Sequence, residues 1–279
     1  MPGLRVASLH LYPVKSCRGL SPARWRLGPF GLEHDRSFMV VDETGRFLTQ
    51  REHPALAQVE TRIEADALVL AAPGEKALEI PLAPPVSAPR VEIVVWKHSG
   101  PALDRGDEAA AVFSRLLGIA CRLVSLPADH GRRVDPARFA GEAHTSFTDG
   151  YPILVLSEAS VADLNRRLAA PVPIDRFRPG IVVAGCEPFA EDGWKRIRVG
   201  EVEIEIVKPC SRCAITTTDQ RTGTRRGKEP LRTLARYRQR DGQVWFAQNA
   251  VHLSGGVLEV GAPIEVLATQ PPFLEVQDG

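Results

Sequence analysis

Apolar and polar positions alternate with a period of two along many short stretches of this chain, and follow the helical period in only three. Residues 4–12, LRVASLHLY, alternate well enough for a strand, and Pro13, which cannot donate to a ladder, ends it before the polar loop VKSCRG. Segment 37–50, SFMVVDETGRFLTQ, reads as a hairpin with its turn over residues 42–45, and VETRIEADALVLAAP at 59–73 repeats the pattern. VEIVVW at 91–96 adds a strand, and PILVLS at 152–157 reads as a buried one. The cleanest alternation is EVEIEIV at 201–207, with Val202, Ile204 and Ile206 on one face and three glutamates on the other. The β-branched AITTTD at 214–219 favours a strand, and GVLEVGAPIEVLA at 256–268 predicts a final pair of strands.

Helical spacing appears in DEAAAVFSRLLG at 107–118, with acidic residues at its start and Gly118 as its stop. It recurs in SVADLNRRL at 160–168, where Ser160 and Asp163 stand at capping-box spacing, and in EPLRTLARYR at 229–238, with Pro230 at the first position. The proline-rich PLAPPVSAP at 81–89 is a rigid loop. Many short strands with few helices predict an α+β, β-rich, barrel-centred fold.

At 279 residues the chain exceeds the usual single domain, so two modules or one large mixed domain are expected. Its 44% hydrophobic and 25% charged residues match an ordinary soluble globular protein. A net charge of +1 supplies no general attraction to nucleic acid or an anionic membrane. The first residues, MPGLRVASLHLYPVKS, show no long apolar run or Arg-rich leader, and no stretch approaches the roughly 18 apolar residues of a membrane span. Five cysteines at irregular spacing argue against a disulfide framework and for a reducing, cytoplasmic setting.

Two of those cysteines, Cys210 and Cys213, lie in KPCSRCAITTTDQRTG at 208–223. They read as half of a zinc site, a dithiol redox pair, or one functional thiolate with a chance neighbour. Structural zinc needs four ligands, and the chain has neither a second Cys-x-x-Cys nor a His pair at finger spacing. A redox pair opens a helix, and the residues that follow favour a strand. Two structural thiols at a strand edge are the plain alternative. Around the pair, however, lie Lys208, Arg212, Arg221, Arg225, Arg226 and Lys228. A thiolate in an electropositive setting can be a nucleophile or a soft-metal ligand, although the outer cations also suit a solvated turn.

YPVKSCRGL near the start and PCSRCAITTTDQRTG…RRGKEPLRTLARYR near the end together resemble the MOSC family (molybdenum cofactor sulfurase C-terminal domain), in particular its amidoxime-reducing members. SEASVADLN, FRPGIVVAG and FAQN follow the family's order, so the resemblance covers nearly the whole chain. It implies a MOSC β-barrel formed by residues 1–36 and 126–279. Residues 37–125 would form an inserted smaller α/β module, with a molybdenum–molybdopterin cofactor in the cleft between. It implies that Cys213 is the metal ligand and the catalytic centre, and that Cys210 is a bystander. Lys15 and Ser16 of the VKS loop are the implied phosphate contacts. HDRSFMV, similar to the family's RDRFWLV, nominates Arg36; FRPG nominates Arg178; Ser211 and Arg212 flank the ligand. Animal members carry Thr-Ser where this chain has Gly150 and Tyr151, Asn where it has Gly180, and Tyr where it has Asn249, so cofactor contacts at these positions must use backbone groups or different side chains. The implied reaction is two-electron reduction of small N-oxygenated compounds: amidoximes, hydroxylamines and N-hydroxylated bases. Electrons would come from an external donor, a cytochrome b5-like, ferredoxin-like or flavin reductase protein, with no nucleic acid or membrane partner. A cofactor carrier, and a sulfur-transfer protein with a persulfide on Cys213, remain alternatives.

Overall fold

The computed structural model describes residues 3–274. Strands Arg5–Leu9, Ile181–Ala184, Ile153–Ser157, Gln243–His252, Val202–Arg212, Trp194–Val199 and Ile264–Thr269 lie side by side in one sheet, with the short strand Gln239–Arg240 beside Gln243–His252. Neighbours are antiparallel except Ile153–Ser157 and Ile181–Ala184, which run parallel and are connected through helix Glu158–Arg167. The sheet curls until its edges meet: Val6 N–H donates to Ala262 O at 3.0 Å and Ile264 N–H to Leu4 O at 2.9 Å. Closing a sheet in this way leaves no exposed ladder. Val202, Ile204 and Ile206, the face read from alternation, are fully buried in this barrel with Leu9, Val155, Ile181 and Ile197. Each such side chain contributes about 1.5–3 kcal/mol of burial.

A smaller unit carries a four-stranded sheet (Phe38–Asp42, Cys121–Ser125, His98–Asp104, Arg90–Val95), a three-stranded one (Glu60–Glu64, Ala67–Ala71, Leu78–Pro81) and helix Asp107–Leu117. Val14 and Cys17 are buried in its core, together with Phe38, Leu56, Leu68 and Phe113. The VKS loop therefore leaves the barrel strand Arg5–Leu9 and roots in the other core. The barrel and the smaller unit are both β-rich, as the alternation predicts.

Several local expectations change. Helix Asp107–Leu117 ends as predicted, with Gly118 left-handed at φ 69°. The next helix is capped by Ser157, not by Ser160: Ser157 has extended backbone where its strand stops, and its Oγ accepts the Ser160 N–H at 3.0 Å. Ser160 is already inside the first turn, and Asp163 pairs with Arg166 and Arg167 instead. AITTTD is not a strand; residues Ala214–Thr217 form one 3₁₀ turn. Thr216 Oγ1 and Thr217 Oγ1 donate back to the carbonyls of Cys213 and Ala214, which gives this backbone a local alternative to ladder pairing. The last two strands form no pair. Gly256–Glu259 joins Arg24–Gly28, whereas Ile264–Thr269 joins Trp194–Val199, because Gly261 at φ 86° turns the chain between them. The second arm of the 37–50 hairpin is held by single bridges at Arg46 and Phe47.

Candidate functional site

Strand Val202–Arg212 is long enough to carry Cys210, and Cys213 is the first residue beyond it, at the start of the 3₁₀ turn. Against Gln243–His252 this strand breaks register twice, between Ile206 and Lys208 and between Pro209 and Ser211. Such bulges re-aim side chains, here immediately before Cys213. The two thiols have different neighbours. Cys210 Sγ accepts Arg212 Nη1 at 3.1 Å, whereas Cys213 interacts with Arg51 of the smaller unit. All five cysteines are reduced, and no group of three or more His, Cys, Asp or Glu is placed to hold a metal ion among the described residues.

Arg51 belongs to a cluster that joins the two units. Its guanidinium pairs with Asp149 at 3.0 Å, and Lys15 Nζ reaches the other Asp149 oxygen at 2.5 Å and donates to Phe147 O at 2.8 Å. Partial desolvation would raise the Asp149 carboxyl, but Lys15 and then Arg51 outweigh it and hold it well below the usual carboxylate range. Burial pushes the Lys15 ammonium down to about 8 even though Asp149 pulls it up. For Arg51, burial opposes the charge, yet Asp149 and Cys213 together raise its pKa.

Next to this corner, Arg36 and Arg178 lie on the Tyr12 ring at 4.2 and 4.1 Å from its centroid. Arg36 pairs with buried Asp35 at 2.5 Å. Arg178 is buried, donates to Cys17 O at 2.8 Å and Gln220 Oε1 at 3.3 Å, and leaves Nη2 without a partner. Burial, with Arg36 alongside, pushes its pKa down to about 10. Ser16, Arg36 and Arg178 all have left-handed backbone, at φ 69°, 47° and 53°. Such conformations cost roughly 1–3 kcal/mol each and collect where a site demands them. Gln50 ties the layers together by donating to Ser16 O at 2.6 Å and Gln220 Oε1 at 2.9 Å. A cavity of about 280 Å³ beside Tyr12 is lined by His10, Arg18, Asp175 and Gln220. Tyr12 Oη and Asp175 Oδ1 have no partner.

Of the other residues read from sequence, Arg212 donates to Phe177 O at 2.7 Å and keeps a buried, unpartnered Nε. Ser211 is exposed on the strand, and Asn249 Nδ2 donates to Pro209 O at 3.3 Å. Gly180 is fully engaged, its N–H on Leu154 O and its carbonyl under His10 N–H, so it has no backbone donor for a ligand. Gly150 faces open space, while Tyr151 packs on the small cluster of Val134, Phe139 and Val251. The sequence reading missed Arg51, Asp149, Gln50, Gln220 and Trp96, whose indole N–H donates to Asp149 at 3.2 Å. Each is a single polar or exposed residue on a loop or at a strand end, and only its partner in the other unit marks it.

The unpartnered guanidinium donors at Arg51, Arg178 and Arg212 fit an anionic, oxygen-rich ligand, and a thiol beside them fits a soft metal. These cations lie where a β-barrel and a smaller β-rich unit meet, a two-part architecture. Residues 3–120 match the MOSC N-terminal beta barrel domain and residues 142–265 the MOSC domain; the chain belongs to the MOSC-domain family. It is 37% identical to mitochondrial amidoxime-reducing component 1 of Mus musculus over 284 residues, covering 94% of this chain and 82% of that one. Against the Homo sapiens component 1 the identity is 35%, with the same coverage. Molybdenum cofactor sulfurase of Oryza sativa subsp. japonica is 31% identical over 87% of this chain, but only 32% of that protein is covered. Among the described residues no helix is long and apolar enough to cross a membrane.

Proposed function

We propose that this protein is a molybdenum-cofactor-dependent reductase of small N-oxygenated compounds. The observation that carries the reading is the placement of Cys213 beside the Arg51–Asp149–Lys15 cluster, at the end of a bulged strand and between two units. In this reading Cys213 ligates the metal, and Lys15, Ser16, Arg36 and Arg178 take the pterin's phosphate. Ser211, Arg212 and Asn249 flank the metal, while Gly150, Tyr151 and Gly180 shape the wall by closeness rather than by side-chain donors. When bound, the cofactor supplies the two-electron, oxygen-removing chemistry. The chain's own work is to bind it, exclude water and bring the substrate's N–O group to the thiolate side. Residues 1–36 and 126–279 act as the barrel module and 37–125 as the inserted one, in a cytoplasmic protein that takes electrons from an external redox partner.

The direct test is metal and pterin analysis of protein made in a molybdenum-replete host, followed by benzamidoxime turnover with a reduced viologen as artificial donor. Stoichiometric molybdenum and pterin with turnover is the expected result. Both without turnover would favour a carrier, and sulfur on Cys213 without pterin would favour sulfur transfer.

The phosphate contacts give a second test. Lys15→Ala and Arg178→Ala each remove a charge-assisted contact of about 1.5–3 kcal/mol, so cofactor affinity should fall about 10- to 100-fold in each. Lys15 has a depressed pKa near 8: it is charged below that pH and neutral above it. Cofactor retention on gel filtration should therefore decline as pH rises through about 8 in the wild type, and lose that dependence in Lys15→Ala. Full occupancy in both variants would place the phosphate elsewhere.

A further inference from the structure

Hairpin Arg90–Val95/His98–Asp104 turns through two residues, Trp96 and Lys97, with Val95 opposite His98. Trp96 has φ 58°. That position of a two-residue hairpin suits glycine, asparagine or aspartate, and a bulky aromatic there is strained. Burial does not explain the indole either, because it is 48% exposed at the tip of the smaller unit. Its surroundings give it a direction. The Arg51 guanidinium lies 4.7 Å from the ring centroid, Phe47 meets the ring at 5.1 Å and a 57° tilt, and the indole N–H donates to Asp149. Arg51 is the cation that faces Cys213, and Asp149 is the carboxylate that holds Lys15. A strained, half-exposed aromatic is thus fixed on three sides, one residue removed from the candidate catalytic thiol, with its remaining surface turned to solvent.

We infer that Trp96 is the substrate-facing wall of the site and selects flat, conjugated N-hydroxylated compounds over saturated ones by ring stacking. This rests on the reductase reading and deepens it. Planar amidoximes and N-hydroxylated heterocyclic bases present a π face to the indole, whereas an alkylhydroxylamine offers only aliphatic contact, and aromatic pairs gain from their geometry beyond the area they bury. Arg51, stacked on the ring, stiffens it, so a substrate meets a wall already in place.

The experiment compares wild type, Trp96→Leu and Trp96→Phe with benzamidoxime and with cyclohexylhydroxylamine, using the molybdenum-loaded protein and a viologen donor. Leucine shares tryptophan's strain at φ 58°, so folding is not the variable. The expected result for Trp96→Leu is a KM for benzamidoxime raised about five- to tenfold with kcat little changed, and a KM for cyclohexylhydroxylamine within about twofold of wild type. Trp96→Phe keeps a ring but loses the donor to Asp149, and should retain the preference. An equal rise for both substrates, no rise, or Trp96→Phe as impaired as Trp96→Leu would overturn the wall, the last by showing that the indole acts through Asp149. Calorimetric titration of benzamidoxime into the same proteins separates this inference from the reductase reading. Binding that weakens in Trp96→Leu without any turnover in the wild type sinks the reductase and keeps the wall; no binding to the wild type overturns the wall.

Discussion

Cys213→Ser should reduce turnover of N-hydroxylated substrates by more than about 100-fold, whereas Cys210→Ser should stay within about a factor of three of wild type. Serine keeps the size of the side chain but replaces a soft thiolate with a hydroxyl that stays protonated at neutral pH, a poor donor to molybdenum. The phosphate contacts lie on other elements, so pterin should still be found in Cys213→Ser while turnover is lost. Cys210 has a different environment: it accepts Arg212 Nη1 and lies within the strand, and a serine hydroxyl can accept the same hydrogen bond. A zinc half-site or a dithiol needs both sulfurs and therefore predicts equal damage. Metal content and rate in the two variants decide between these readings, and equal loss would sink the single-ligand one.

Arg238→Met should be the most destabilising single change outside the site, by about 3–5 kcal/mol. Arg238 is 1% exposed, lies on the Phe189 ring, and pairs at 2.6 Å with Asp192, which is itself buried and accepts Gln248 Nε2. Burial lifts the Asp192 carboxyl above its ordinary pKa even with Arg238 beside it, so the pair is not a net source of stability, yet removing one member strands the other. The sign with pH follows. A carboxyl whose folded pKa is raised favours the folded state when protonated and opposes it as pH climbs through the folded pKa. Losing Arg238 raises that pKa further, so the deficit of the variant should be larger at pH 8 than at pH 5. Denaturant midpoints at the two pH values measure it. A loss below about 1 kcal/mol, or one greater at pH 5, would contradict the account, and Arg238→Met combined with Asp192→Leu should recover part of the stability.

Much of the barrel could be read from alternation alone. Val202, Ile204 and Ile206 announce an inward face, and their burial in the core agrees. What alternation cannot convey is which strand meets which. The contact between residues 4–6 and 261–264 closes the sheet, yet it leaves no local pattern, since any half-buried strand can pair with any other. The 214–219 segment shows a different limit. Its threonines have strand propensity, but their hydroxyls found nearer partners in the preceding carbonyls. At the candidate site, Lys15, Ser16 and Cys213 were legible because they sit in motifs that resemble a family. Asp149 and Arg51 were not, for a carboxylate and a guanidinium nearly a hundred residues apart look like two solvated charges until the fold sets them 3.0 Å from each other.

The closure of the barrel also orders events during synthesis. Strand Arg5–Leu9 emerges from the ribosome long before its ladder partner Ile181–Ala184 and the 261–264 segment that seals its other edge. At about 5–20 residues per second, the first strand waits on the order of ten seconds without a neighbour. The smaller unit, with strands and helix drawn from one contiguous stretch, has no such delay. A nascent chain therefore presents a folded smaller unit and an open barrel, and the cleft between them exists only once residues 261–264 have been made. Any ligand of that cleft must be loaded after the barrel has closed.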